Sequence, residues 1–440
     1  MTATTATEVP WVDESLVAEM RARISDALIA RNASRAVRLS NDDERMYAVE
    51  LANRELESLA ATALTEGIPP LSPDGEHAIV RAVLDRLFEL GRLQPLLDDD
   101  QVLNITANGC DRVFVDRADG TKHAGPPIAE SDEELIELLR EIGRRHGLSE
   151  REFNPGRPSL NLQLPDGSRL FAVAWVCDRP ALAIRRHRHL RVTLADLTRL
   201  ETVSEELADF LGAAVRARLQ IIVAGATGAG KTTLLRALAA EIPPVERIVT
   251  IETELELGLD RYPDLHPDVV ALEARTANVE GVGAVSAADL VRMSLRMNPD
   301  RVIVGEVRGD EIIPMLNAMS AGNDGSLCTL HADSSATVFN KLGLYAMQAP
   351  ERLDLAATNQ LAAAAIDLIV FITRTAQGRS VASVRQVVGA DGRQVITNEL
   401  FAPGPDGRAI PAVPIPHDLA ELLADHGYDP RTVHDSGRRP

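Results

Sequence analysis

Lysine is almost missing from this chain of 440 residues: only Lys122, Lys231 and Lys341 stand among its 46 basic residues, the rest being arginine. Where arginine is the default cation, a lysine in a distinctive setting asks for a reason, and Lys231 has such a setting. Cysteine is equally scarce. Cys110, Cys177 and Cys328 lie 67 and 151 positions apart, so they build neither a disulfide framework nor a Cys-x-x-Cys metal site, and a reducing, cytoplasmic location fits. The most apolar stretch, Leu361–Ile372, has 12 residues and contains Asp367, too short to cross a bilayer. The opening MTATTATEVPWVDE has no basic stretch followed by an apolar one, so no signal peptide is expected. Positive charge is in deficit, with 65 acidic residues and a net charge of −19. That charge repels duplex DNA and anionic lipid, so nucleic acid is not an expected partner.

What is present is the composition of a globular protein, 45% apolar and 25% charged, with a length that suits two or three domains. Residues 14–64 carry apolar positions at helical spacing (Leu16, Met20, Ile24, Leu28) and read as an amphipathic packing or oligomerisation segment. Pro69, Pro70 and Pro73 break it. Beyond them, helical stretches (His77–Leu90, Asp132–His146) mix with short strand-like runs, two of which flank the turn signal Pro165-Asp166-Gly167. From about Val192, apolar strands alternate with amphipathic helices, which implies a mostly parallel sheet covered on both faces. The expected organisation is a helical N-terminal extension over 1–72, a smaller α+β domain over 73–190, an α/β domain over 191–402 and a Pro-rich tail over 403–440. The tail reads as a loose end or a short docking segment. Residues 186–193 read as the linker between the two larger domains.

The strongest motif follows the wholly apolar run Ile221–Ala224. It is Gly225-Ala226-Thr227-Gly228-Ala229-Gly230-Lys231-Thr232, with Thr233 opening the helical run TLLRALAAEI. Its glycines let backbone N–H groups turn inward on phosphate oxygens, and the loop empties into a helix N-terminus that adds to the anion site. Lys231 reaches the outer phosphates of a nucleoside triphosphate, and the Thr232 hydroxyl is placed to ligate magnesium.

Such chemistry also needs carboxylates near the terminal phosphate. Two apolar strands end in one: IVTIE in Glu252, with Glu254 and Glu256 close behind, and RVIVGEVRG in Glu306. A lone strand-end glutamate is usually a solvated loop residue. Two of them after parallel strands, at the sheet edge where ligands gather, point to catalysis. His331, in LCTLHADSS, follows another apolar strand and stands as a candidate phosphate-sensing residue. Arg308, in the turn after Glu306, is a second candidate contact to the nucleotide.

Taken together, GATGAGKTTLLRAL, IETELEL, LVRMSLRMNPDRVIVGEVRGDEI, AMSAGNDGSLCTLHADS and, upstream, LPDGSRL, ALAIRR and GRLQPLLDDDQVLNITANGCDRVFVD resemble the type II/type IV secretion ATPase superfamily over roughly residues 75–400. Within it the chain is most similar to the CpaF-type branch, which powers tight-adherence (Tad) pili. The resemblance implies a RecA-like P-loop core that binds ATP and Mg2+. Lys231 and Thr232 would serve the phosphates and the metal, with Glu306 at an atypical Walker B position sharing the metal partly through water. Glu252 and Glu256 would hold the acidic-box positions, and His331 that of the histidine box. Arg169 and Arg185 match arginines of the N-terminal domain that approach the terminal phosphate, with residues 186–193 as the hinge that brings them. The implied assembly is a homohexameric ring in the cytoplasm, held at the membrane face by inner-membrane platform proteins of a pilus or secretion system. Departures exist. Thr253 stands where an Asp usually follows Glu252, and Gln163 where the family often has Arg before its Leu-Pro. The four-cysteine zinc module of type II secretion ATPases is absent, so no zinc is expected.

Overall fold

The computed structural model describes residues 13–33, 39–146, 153–186, 191–275, 277, 281–375 and 378–429, and the chain divides into two compact units after Arg186. Of the expected linker, residues 187–190 lie outside the described residues. No helix among the described residues is long and apolar enough to cross a membrane.

The first unit begins with three helices: α1 (Glu14–Ala33), α2 (Asn41–Glu66) and α3 (Pro73–Phe88). The apolar stripe of α1, Val17, Met20, Ile24 and Leu28, is buried against Ala48, Ala52 and Leu56 of α2 and Ile79 and Val83 of α3. Ser40 caps α2 through the amide of Asp43, and Ser72 caps α3 with Pro73 at its first position, where a missing N–H costs nothing. The proline cluster is therefore a turn between helices. The bundle runs on to Phe88, past the expected boundary at 72.

A short helix α4 (Gln94–Asp98) leads into an antiparallel sheet of β1 (Val102–Asn108), β2 (Val113–Arg117), β3 (Lys122–Ala124), β4 (Ser159–Gln163), β5 (Arg169–Val173) and β6 (Ala181–Arg185), with α5 (Asp132–His146) between β3 and β4. The strand order is β3-β2-β1-β6-β5-β4. The expected turn at Pro165-Asp166-Gly167 joins β4 to β5, with Asp166 accepting from the Ser168 amide. In the register of β5 on β6, Arg169 stands directly opposite Arg185.

The second unit opens with α6 (Leu194–Arg199) and α7 (Glu205–Arg216), followed by β7 (Ile221–Ala224), α8 (Lys231–Ala239), β8 (Ile248–Glu252), β9 (Val269–Glu273), α9 (Ala287–Ser294), β10 (Arg301–Val307), α10 (Ile312–Ser320) and β11 (Leu327–Leu330). Helices α11 (Val338–Gln348) and α12 (Leu355–Ala365) precede β12 (Leu368–Thr375), β13 (Gly378–Ala390), β14 (Val395–Pro403), β15 (Ala409–Pro411) and α13 (His417–Ala424). The sheet order is β15-β14-β13-β12-β7-β11-β10-β8-β9. From β12 to β9 all neighbours pair in parallel. Alternate residues of the buried strands feed two cores. Ile221 and Val223 pack on the side of α7 and α8, while Ile222 and Ala224 pack on the side of α10 to α12. The fold is thus the expected α/β class with helices on both faces.

Three features differ from the sequence reading. The parallel sheet continues into an antiparallel extension, β13 to β15. Helices α11 and α12 and strand β9 have no counterpart in the reading, because their alanine-rich or half-buried patterns carry weak periodicity. The supposed loose tail is folded as far as residue 429: β15 pairs with β14, and Leu419, Leu423 and Tyr428 join the core. Phe210 of α7 meets Tyr428 edge-on at 5.6 Å between ring centroids, and Phe401 at 5.2 Å.

A folded tail makes a quantitative demand. Leu423 is fully buried, so Leu423→Ala should lower stability by about 2–5 kcal/mol, the usual loss for a buried leucine truncated to alanine. Urea unfolding followed by circular dichroism reads this, and a loose tail would give no change.

Candidate functional site

The phosphate loop lies between β7 and α8. Gly230, the N-cap of α8, has φ 105°, a left-handed conformation that glycine adopts without strain. Lys231 then opens the helix and is only 7% exposed. Its ammonium donates to the carbonyls of Gly225 (3.1 Å) and Ala226 (3.2 Å). Burial holds its pKa below the ordinary value, opposed by the nearby Glu306 carboxylate.

The sheet order puts β11 beside β7 and β10 beside β11, and so delivers His331 and Glu306 to the same place. Glu306 Oε1 lies 3.7 Å from Lys231 Nζ and 2.6 Å from His331 Nε2. Its other oxygen pairs with Arg308 Nε at 2.5 Å. Burial lowers the pKa of His331, again opposed by Glu306, so its ring is neutral at pH 7. A neutral ring has one donor and one acceptor. The geometry assigns the donor to Nε2, facing the carboxylate, and the acceptor to Nδ1, 3.2 Å from Lys231 Nζ. Four expected residues, Lys231, Glu306, Arg308 and His331, therefore form one connected group.

Glu252, at the end of β8, is the most enclosed of the expected carboxylates. Its Oε2 accepts from the amides of Glu256 (2.8 Å) and Leu257 (2.9 Å), while Oε1 is buried with no hydrogen-bond partner among the described residues. Burial pushes its pKa up to about 7, against the pull of the two amides. The side chain lies against Gly305 of β10, where any Cβ would come within 2.9 Å of Glu252 Cγ. A glycine immediately before Glu306 is thus required for the two glutamates to coexist. The carboxylate of Glu256 reaches back to the Thr232 hydroxyl at 3.5 Å. Arg236 of α8 clamps this loop by donating to the carbonyls of Leu257 (3.0 Å) and Glu256.

Oxygen donors at Thr232, Glu256 and Glu306 suit a hard cation such as Mg2+, which is held by few protein ligands and completes its shell with phosphate and water. Among the described residues no cluster of three or more His, Cys, Asp or Glu would hold a metal by itself. Arg169 and Arg185 lie in the first unit, neighbours across β5 and β6. Gln163, paired opposite Arg169 in the β4–β5 register, turns its amide to the Gly167 carbonyl at 3.4 Å. One residue at the loop was not anticipated: Arg379, at the start of β13, donates through Nε to the Gly228 carbonyl at 3.1 Å. No motif marks it, because only the antiparallel pairing of β13 with β12 brings it there.

Comparison with known proteins gives this arrangement a context. Residues 89–397 match the family described as type II/IV secretion system protein. A candidate conjugal transfer protein of Mycobacterium tuberculosis is 35% identical over 331 residues, covering 73% of this chain and 91% of that protein. The type IV secretion system protein VirB11 of Brucella suis is 33% identical over 299 residues, covering 62% of this chain and 81% of that protein. The X-ray structure of the Legionella pneumophila ATPase DotB is alike in fold, with TM-score 0.50 at 19% identity, covering 68% of this chain and 80% of that one.

The raised pKa of Glu252 has a consequence for stability. A carboxyl that is neutral in the fold up to about pH 7, but ionised in the unfolded chain above its ordinary 4.5, favours folding below the lower value and loses that contribution as pH rises to the upper one. Glu252→Gln carries no such cost. The melting temperature of Glu252→Gln relative to the parent should therefore rise between about pH 4.5 and pH 7 and level off above. A difference that stays flat from pH 4 to 8 in scanning calorimetry would show that Glu252 titrates alike in the folded and unfolded chain.

Proposed function

The chain belongs to the type II/IV secretion system protein family, and on that premise we propose that it is an ATP-hydrolysing motor serving a pilus or secretion machine. The observation that carries this reading is the union of Lys231, Glu306 and His331 in one hydrogen-bonded group at the mouth of a phosphate-binding loop.

In the reaction ATP + H2O to ADP + phosphate, the outer phosphates take the place of the Gly225 and Ala226 carbonyls as partners of Lys231, a charge-assisted contact stronger than the one it replaces. Backbone N–H groups of residues 225–230 and the start of α8 receive the inner phosphates. Thr232 and, partly through water, Glu306 would hold Mg2+, with Glu256 behind them, and the bound ion would supply charge neutralisation at the outer phosphates. Glu252, with its carboxyl titrating near pH 7 and one unpartnered oxygen, orients the attacking water and accepts its proton, since a base is most effective when its pKa lies near the working pH. His331 reads the terminal phosphate through Glu306 and Lys231. Arg169 and Arg185, opposite each other in the register of β5 on β6, supply positive charge to the terminal phosphate at the transition state.

The assembly that suits these parts is a homohexameric ring in the cytoplasm, docked on inner-membrane platform proteins, with the Tad pilus branch as the finer assignment. The conjugative type IV secretion reading has an observation of its own, since the relatives above include a candidate conjugal transfer protein and VirB11. Deleting the gene and scoring surface pili against plasmid transfer separates the two.

Turnover and nucleotide affinity, measured on the full chain alongside its light-scattering mass, test the motor reading. Lys231→Ala should abolish hydrolysis with the fold retained. The double change Arg169→Ala and Arg185→Ala should cut turnover by roughly 10³ or more with ATP affinity and ring mass unchanged. Normal turnover in the double variant would remove both arginines from the mechanism.

A further inference from the structure

Beyond the nucleotide site, the second unit contains a polar network with no part in the chemistry described so far. It begins at Ser335, four residues after His331 and only 3% exposed. Its hydroxyl lies 2.8 Å from that of Ser383 on β13 and 3.2 Å from Arg385 Nε. Ser383 reaches Glu399 Oε1 of β14 at 2.6 Å. Arg385 pairs with the other oxygen of Glu399 at 3.0 Å and donates to Thr397 at 3.1 Å.

Counting protons fixes the direction of every bond. A serine hydroxyl donates once, an ionised carboxylate only accepts and a guanidinium only donates. Ser383 gives its proton to Glu399, so Ser335 must donate to Ser383, and Arg385 donates to Ser335. Arg385 also donates to Glu399, and the ring closes. Each hydroxyl both gives and receives, which is the arrangement that makes a buried polar network specific. Simple packing of a loop on a sheet does not call for such a ring, because apolar side chains of the same volume avoid the desolvation cost of a partly buried ion pair. Around Ser335 the chain is held further, with Ser334 and Thr337 exchanging bonds between their hydroxyls and amides at 3.0 and 3.2 Å.

We propose that Ser335, Ser383, Arg385 and Glu399 form a positioning ring that seats His331 against Glu306. The ring clamps the loop leaving β11 to the antiparallel extension, so the orientation of the phosphate-reading imidazole depends on strands that contribute nothing else to it. This rests on the role given to His331 above, and Ser335 acts only through that residue.

The test uses the full chain and two readouts. Ser335→Ala should lower kcat about tenfold, the effect of one hydrogen bond's worth of positioning energy, with ATP affinity unchanged. In a His331→Ala background the same substitution should cost nothing more, since residues that act through one another are not additive. Independently of activity, hydrogen exchange over residues 331–337 should become about tenfold faster in Ser335→Ala, as local opening becomes easier. Should Ser335→Ala fail to fold, Ser383→Ala opens the ring with the ion pair intact and is expected to give the same pattern. Unchanged exchange at 331–337 overturns the ring. Faster exchange with normal kcat, or an equal loss of kcat with and without His331, overturns its positioning role. If the parent hydrolyses no ATP, the motor reading falls, and the exchange arm still decides whether the ring holds the loop.

Discussion

An ammonium group cannot be taken out of water without partners, and the buried Lys231 sets that condition for the whole second unit. Two of its partners, the Gly225 and Ala226 carbonyls, come from its own loop. The others, His331 and Glu306, come from strands that must run parallel to β7 and stop at the same edge. The sheet order β7-β11-β10 is what allows both to arrive, and the two apolar cores on either face hold that order. Without them the lysine would be an unpaired buried charge, strongly destabilising by itself. The requirement that places the lysine is therefore the same one that assembles the carboxylate and imidazole around it.

The carboxylates differ by environment. Glu306 is surrounded by donors from Lys231, His331 and Arg308. Glu252 has one oxygen tied to two amides and the other enclosed without a donor. Two glutamates at neighbouring strand ends are thus chemically distinct, and Gly305 between them is the space that keeps them so.

Much of this was legible in the sequence, for a local reason. The run Ile221–Ala224 and the loop after it, IVTIE before Glu252, and RVIVGE are contiguous signals in which an apolar strand delivers a reactive residue at its end. What was hidden depends on pairing between distant segments. Arg379 meets Gly228 across 151 positions, and the ring joins residue 335 to residues 383–399; both exist only because β13 folds back on β12. The tail misled for a related reason. Prolines 403, 405, 411, 414 and 416 suggest a loose end or a short docking segment, yet β15 pairs with β14, and Leu419, Leu423 and Tyr428 join the core.

One of those prolines has a consequence for how copies of the chain can meet. The sheet ends in β15, three residues long and closing with Pro411, which has no N–H to offer a further strand. A sheet of nine strands with an open rim invites another chain to add to it, the usual route to aggregates. Here a short outermost strand that ends in an imino acid blunts the rim at that end of β14. Growth of the sheet by annexing a neighbour's backbone is stopped there, and any ordered association of copies along that side is left to surfaces made of side chains.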